Sequence, residues 1–241
     1  MSVRHVVLVH GAWHGAWCWA ALQAELDRRG VPSLAVDLPG HGSSTAPLTD
    51  LHGDAAEVSR VLTVLAERGV TGSVLVGHSY GGAVVTEASH RTPLVDHLVY
   101  VAAFALNTGE SVMSALGSFP RHDVGLGAAM VAQPDGTSVL NPELAAPALY
   151  GCCDDATVAA SLARLSPQPM ATVTQPVTGN GRDRVASTYV LCSRDDSVHP
   201  EHQRIMAARC TRTIELDTDH SPFASMTLET ADILERLARQ S

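Results

Sequence analysis

No lysine occurs in this chain of 241 residues, whose 16 basic side chains are all arginines set against 25 acids, for a formal charge of −9. No basic run or basic aromatic stripe offsets that balance, and a field of this sign disfavours phosphate backbones and anionic membrane surfaces. Nucleic acid is therefore set aside as a partner. A membrane is set aside as well, because no stretch approaches the roughly 18 uninterrupted apolar residues that a span needs. The N-terminus shows no basic segment followed by an apolar segment and a cleavage site; a strand-like run, His5-Val6-Val7-Leu8-Val9, begins almost at once. Cysteines are few: Cys18, Cys152, Cys153, Cys192 and Cys210, odd in number and with two adjacent. That is no disulfide framework, and buried thiols in a reducing cytoplasm are the expectation. Only three phenylalanines occur, so aliphatic side chains must form most of any pocket wall. With 45% hydrophobic and 17% charged residues the composition is that of a globular protein, long enough for one domain with a large core or a modest insertion.

The first 105 or so residues alternate short apolar runs with helical patterns. Strands are predicted at His5–Val9, Ser33–Asp37, Ser73–Val76 and Leu98–Ala102, nearly continuous in apolar residues as befits strands covered on both faces. Helices are predicted at Ala16–Arg29, at Asp54–Arg68 with Asp54 near its start, and at Gly81–His90. This rhythm implies a parallel sheet with right-handed crossovers. It breaks between residues 106 and 184, where prolines are frequent and no convincing central strand appears. One helix reads through Asp155–Leu165, with Val158, Leu162 and Leu165 on one side. So long a segment is read as a small, mainly helical cap inserted into a core formed by residues 1–105 and 185–241, not as a structureless loop. The sheet rhythm returns at Ser187–Cys192 and Thr213–Leu216, with helices at Glu201–Arg209 and Phe223–Ala238. The expected fold is α/β, with a mostly parallel sheet of about six strands.

The strongest chemical signal is Gly77-His78-Ser79-Tyr80-Gly81, a G-x-S-x-G pattern preceded by a strand and followed by a helical run. In that context a serine is held clear of the backbone as a nucleophile, and the amide of Tyr80, where the helix begins, can face a developing oxyanion. A serine nucleophile needs a base, and the base an orienting acid. Beyond the last predicted strand the only histidine is His220, in a turn-rich loop, and it is the candidate base. The acid belongs after the preceding strand, where Asp195 and Asp196 compete and spacing does not separate them. Asp219 lies too close in sequence to His220 and is expected to bond locally. The loop after the first strand, His10-Gly11-Ala12-Trp13, offers the Ala12 N–H as second oxyanion donor. His10 is expected to bond within that loop, and His14 to face either the substrate or solvent. Leu38-Pro39-Gly40-His41-Gly42 reads as a rigid turn beside the site.

Taken together these residues are familiar. His10-Gly11-Ala12-Trp13-His14-Gly15-Ala16-Trp17, Asp37-Leu38-Pro39-Gly40-His41-Gly42, Gly77-His78-Ser79-Tyr80-Gly81-Gly82, Cys192-Ser193-Arg194-Asp195 and Asp219-His220 resemble the α/β-hydrolase superfamily. They are most similar to its plant methylesterase and hydroxynitrile lyase branch and the bacterial esterases related to it. The resemblance implies the α/β-hydrolase fold and selects Asp195 as the acid, because Cys-Ser-Arg-Asp resembles the family's Cys-Thr-Glu-Asp. Many relatives carry lysine where Asp196 stands, and the cap matches poorly.

The expected function is therefore a serine carboxylesterase acting on a small or medium apolar ester through Ser79, His220 and Asp195, with Ala12 and Tyr80 as oxyanion donors. It needs no metal and no organic cofactor, since His10 and His14 lack the helical H-E-x-x-H context. The expected partner is the small-molecule ester, and a homodimer is left open. Two alternatives belong to other classes. One is lyase or cyclase chemistry on the same site, disfavoured because the positions that carry lysine and threonine in hydroxynitrile lyases are here Ser221 and Gly11. The other is a non-catalytic ligand-binding protein on this fold.

Overall fold

A computed structural model describes residues 3–240. In chain order the core begins with β1 (His5–Val9), α1 (Ala20–Arg28), β2 (Ser33–Val36), α2 (Leu51–Glu67), β3 (Ser73–His78), α3 (Gly81–Arg91) and β4 (Val95–Val101). Then come α4 (Val112–Ser118), α5 (Gly125–Ala129), β5 (Met130–Ala132), β6 (Thr137–Leu140), α6 (Pro142–Tyr150), α7 (Asp155–Leu162), β7 (Gln168–Pro169) and α8 (Ala171–Thr174). The chain closes with β8 (Ala186–Cys192), α9 (Pro200–Ala207), β9 (Arg212–Leu216), α10 (Pro222–Ser225) and α11 (Thr227–Arg239). Six strands form one sheet in the order β2-β1-β3-β4-β8-β9, parallel throughout.

The apolar runs are continuous because alternate side chains feed two separate cores. Val7, Val9, Leu75, Leu98, Tyr100, Tyr189 and Leu191 face α2, α3 and α9. Their neighbours Val6, Leu8, Val74, Val76, Val99, Val101 and Val190 face α1 and α11. Inner strands β3 and β4 are buried nearly end to end, whereas edge strands β2 and β9 are largely open. Among the described residues, no helix is long and apolar enough to cross a membrane, and the five cysteines are free, with Cys18 and Cys192 buried and the other three half-buried.

Between β4 and β8 the segment is mainly helical and adds no strand to the six-stranded sheet, but it carries a small second sheet that the sequence reading does not include. β5, β6 and β7 form a three-stranded antiparallel sheet. Its hairpin is set by Gln133-Pro134-Asp135-Gly136: Gly136 has φ 82°, Gln133 N–H donates to Thr137 O at 2.8 Å, and the Asp135 carboxylate accepts from Thr137 N–H at 3.0 Å. Proline, aspartate and glycine in that order are a turn signal with a known mechanism. The strands themselves, two to four residues long, are too short to show a period. The helix predicted at Asp155–Leu165 ends at Leu162, and Val158, Leu162 and Leu165 pack as expected, against Ala129, Ala145, Leu149 and Tyr150.

Candidate active site

The serine turn is built by close approach. β3 ends at His78, α3 starts at Gly81, and Ser79 between them has φ 51°, a left-handed conformation that a non-glycine residue adopts only under constraint. The constraint is packing. A Cβ at Gly77 would lie 2.4 Å from Gly81 O, and one at Gly81 would lie 2.6 Å from His10 O and Val9 O. Ser79 N–H donates to Val101 O at 3.2 Å, and Ser79 O accepts from Phe104 N–H at 3.1 Å. The serine is thus pinned to β4 while its side chain looks into a cavity of about 150 Å³, which Ala12 and Tyr80 also line. Neither the Ala12 nor the Tyr80 N–H is spent on another group among the described residues.

The candidate acid and the candidate base come together in the fold. Asp195 Oδ2 accepts from His220 Nδ1 at 2.7 Å, with both side chains buried. Asp195 Oδ1 accepts from the amides of Ser197 and Val198 at 2.7 and 2.9 Å, and Oδ2 also accepts from Gln203 Nε2 at 2.8 Å. Gln203, on α9 and invisible to a motif search, is clamped in turn by Cys192 N–H on its Oε1 at 3.0 Å. Asp196 does something else: its Oδ1 accepts from Gly125 N–H at 2.9 Å and its carbonyl from Leu126 N–H at 3.2 Å, which ties the start of α5 to the β8–α9 loop. Spacing left Asp195 and Asp196 open, and their side chains point apart: Asp195 meets His220 and Asp196 meets Gly125 N–H.

His220 Nε2 is left free by the Asp195 contact, and the described residues offer it no hydrogen bond, Ser79 Oγ included. Contacts between nucleophile and base are commonly long in unliganded sites and tighten with substrate. His78, the neighbour of Ser79, supports His220: its ring lies 4.5 Å from that of His220, and its Nε2–H donates to His220 O at 2.9 Å. Burial, with His220 and His14 adding repulsion, holds His78 well below the usual histidine range, so it stays neutral and its tautomer is fixed.

Other expectations sort themselves by partner. His10 does bond within its loop, Nδ1 to Gly11 O at 2.8 Å, while its Nε2 accepts from Leu38 N–H at 3.1 Å. His14 faces neither substrate nor solvent: it is buried, with Nδ1 on Ala12 O at 2.7 Å and Nε2 on Tyr150 OH at 2.6 Å. Asp219 bonds locally, to Ser221 N–H at 3.1 Å and Ser225 Oγ at 2.7 Å, but also reaches Cys152 N–H at 2.8 Å. Asp54 is not a free charge at a helix start. α2 begins earlier and is capped by Asp50, which accepts from Gly53 N–H at 2.9 Å. The Asp54 carboxyl is buried and accepts from Tyr80 OH at 2.6 Å; burial, aided by Asp50 and opposed by the tyrosine bond, pushes it up to about 7.

The buried histidines make stability fall in acid. Burial holds His10 down to about 3 and His14 and His41 to about 4, so each remains neutral in the fold while the unfolded chain takes up a proton below pH 6.5. Each such histidine costs about 2 kcal/mol at pH 5, lost progressively from pH 6.5 down to about 4 for His14 and His41 and about 3 for His10. Asp54 works the other way, because its folded carboxyl keeps a proton that the unfolded one releases, and three histidines outweigh it. Urea unfolding is expected to give a folding free energy a few kcal/mol lower at pH 5 than at pH 7; a flat profile over that interval contradicts it.

A profile of the alpha/beta hydrolase family matches residues 6–233. The chain belongs to that family. It is 32% identical to the esterase PIR7B of rice, Oryza sativa subsp. japonica, over 99% of this chain and 97% of that protein. It is 29% identical to methylesterase 9 of Arabidopsis thaliana, over 98% of each. The crystal structure of the methylesterase MES16 from Arabidopsis superposes with a TM-score of 0.79 at 28% identity, covering 98% of each chain.

Proposed function

We propose that this protein is a serine carboxylesterase that cleaves an ester of a small or medium apolar molecule through an acyl-enzyme on Ser79. The observation that carries the reading is the buried Asp195–His220 pair beside a serine turn held at φ 51°. Ser79 Oγ attacks the ester carbonyl as His220 Nε2 takes its proton. Asp195 keeps the imidazole proton on Nδ1 and stabilises the imidazolium. The Ala12 and Tyr80 amides receive the oxyanion, His220 protonates the departing alkoxide, and water repeats the sequence on the acyl-enzyme. The esterase names of the relatives similar over nearly the whole chain support the same chemistry.

Residues 106–184 act in this reading as the cap that sets substrate size. From them Val112, Met113, Leu116, Leu126, Met130 and Val173 line the serine cavity, whose wall is mainly apolar although Ser138 and Gln168 also border it. An apolar cavity near 150 Å³ accommodates a group about the size of a benzene ring. With p-nitrophenyl esters from acetate to palmitate, kcat/KM is expected to peak at a short or medium acyl chain; a maximum at palmitate contradicts the size limit.

Lyase chemistry is disfavoured on charge and on space. Cyanohydrin cleavage places negative charge on departing cyanide, where a cation beside the base helps, and neutral Ser221 follows His220 here. Arg194 is exposed. At Gly11 a Cβ would lie 2.9 Å from His78 Nδ1 and 3.0 Å from Ser79 Cβ, so no threonine fits without moving the nucleophile. Gly11→Ala is accordingly expected to cost about 1–3 kcal/mol of stability by overpacking and to lower kcat at least tenfold; unchanged melting and turnover would remove this steric argument. Mandelonitrile with cyanide detection, set against methyl and aryl esters with acid detection, separates the chemistries. Acid release with one label from ¹⁸O-water is expected, and Ser79-dependent cyanide release without esterase activity overturns the proposal.

A further inference from the structure

The loop carrying Ala12 is gripped from the inserted segment, and the grip converges on one residue. Trp13 has φ 63°, unusual for so bulky a side chain, and is 7% exposed. Its N–H donates to Gln168 Oε1 at 3.0 Å, its indole Nε1–H reaches Ser138 O at 3.1 Å, and its carbonyl accepts from Ser166 N–H at 2.9 Å. All three partners lie between β4 and β8. Gln168 is the hub. It is buried, and its Oε1 also accepts from His41 Nε2 at 2.8 Å while its Nε2 donates to Thr172 Oγ1 at 3.0 Å. Two donors on one oxygen fix which way the amide lies.

We infer that Gln168 is a positioning residue for the oxyanion hole, holding the Ala12 donor in place by fixing the peptide on its far side. The inference rests on the acyl-enzyme reading above. Two planar peptide units flank the Ala12 Cα, and the orientation of the first is the orientation of the Ala12 N–H. The carbonyl of that first unit, Gly11 O, is held by His10 Nδ1 at 2.8 Å. The second unit is held at both ends, its Ala12 O by His14 Nδ1 at 2.7 Å and its Trp13 N–H by Gln168. His41, the second donor to Gln168, stacks on His10 with ring centroids 5.3 Å apart, so one network spans both units. Nothing else holds the Trp13 N–H among the described residues. Without Gln168 that amide is a buried donor lacking an acceptor, and a turn strained at φ 63° has reason to relax. A donor displaced by a fraction of an ångström loses its hold on the oxyanion while ground-state binding persists.

The test compares Gln168→Met, similar in size but without an acceptor oxygen, and Gln168→Glu, which keeps one. It uses an alkyl trifluoromethyl ketone, which forms an oxyanion on adding the serine, and the matching secondary alcohol, which does not. Concentrations are set by active-site titration, so loss of folded protein does not enter. Q168M is expected to lower kcat at least tenfold with KM within threefold, to weaken the ketone by the same factor and to leave the alcohol unchanged. Q168E is expected to recover most of both losses. If Q168M does not fold, Gln168→Asn, one methylene too short to reach Trp13, carries the same expectation. Wild-type ketone affinity in the folded variant, equal weakening of ketone and alcohol, or a Q168E as impaired as Q168M overturns the inference. A wild type that binds the ketone no better than S79A signals failure of the acyl-enzyme reading itself, and the role of Gln168 falls with it.

Discussion

Ser79→Ala is expected to lower kcat/KM on a short aryl ester by about 10⁵-fold or more, the scale on which removing a serine nucleophile acts. The loss is chemical and not structural. The turn is held by the backbone bonds from Ser79 N–H to Val101 O and from Phe104 N–H to Ser79 O, and by glycines at 77 and 81 that nothing larger can replace; alanine disturbs none of these. Ser79 Oγ itself has no hydrogen-bond partner among the described residues to lose. Melting temperature and binding of the secondary alcohol should therefore stay close to wild type while turnover disappears. Steady-state rates and a melting curve on the same preparation check both halves. A variant that keeps a hundredth of the activity would show that Ser79 is not the nucleophile.

The second large effect concerns the acid. Asp195→Asn is expected to reduce kcat by about 10⁴-fold, by the tautomer logic known from serine proteases. Asparagine turned with its NH₂ toward His220 forces the ring proton to Nε2, the atom that must accept the proton of Ser79. Turning the amide over does not rescue the site without cost. Gln203 Nε2 already donates to Oδ2, and the amides of Ser197 and Val198 already donate to Oδ1, so both oxygens are surrounded by donors and neither position welcomes an NH₂. Asp196→Asn should change kcat by only a few fold, because that carboxylate meets Gly125 N–H and not the imidazole. Comparable losses at the two positions, measured at one pH with folded protein, contradict the assignment of the acid.

What could be read from the sequence followed from how much local chemistry each element requires. A strand buried on both faces needs a continuous apolar run, so the parallel strands were legible, with no end off by more than three residues. Ser79 was legible because a strand-to-helix turn this tight demands glycines at fixed offsets. His220 stood out by chain order. Asp195 and Asp196 could not be told apart by spacing, because the difference is one of side-chain direction; the Cys-Ser-Arg-Asp resemblance favoured the residue that the fold brings to His220. Most of the groups that carry no local signal act across long sequence separations, and Gln203 acts from only eight residues beyond Asp195. Gln203 and Gln168 are uncharged and owe their places to α9 and to a strand of two residues. Asp54 looked like a helix-start charge because nothing local announces that Tyr80, 26 positions on, will lie over it. His14 stood in a loop rich in small residues, and only the fold brings Tyr150 to it. In the small sheet the Pro-Asp-Gly turn was present, but it was hidden in a segment whose strands are too short to show alternation.

The most direct measurement of the central claim is the intact mass of the protein after reaction with a p-nitrophenyl alkylphosphonate, followed by peptide mapping. The phosphonate forms a stable analogue of the tetrahedral intermediate on whichever side chain attacks the ester. One adduct is expected per chain, on the peptide that contains Ser79, formed in step with loss of esterase activity and absent from S79A. Equal labelling of wild type and S79A, or inactivation with the adduct on another residue, would contradict the account.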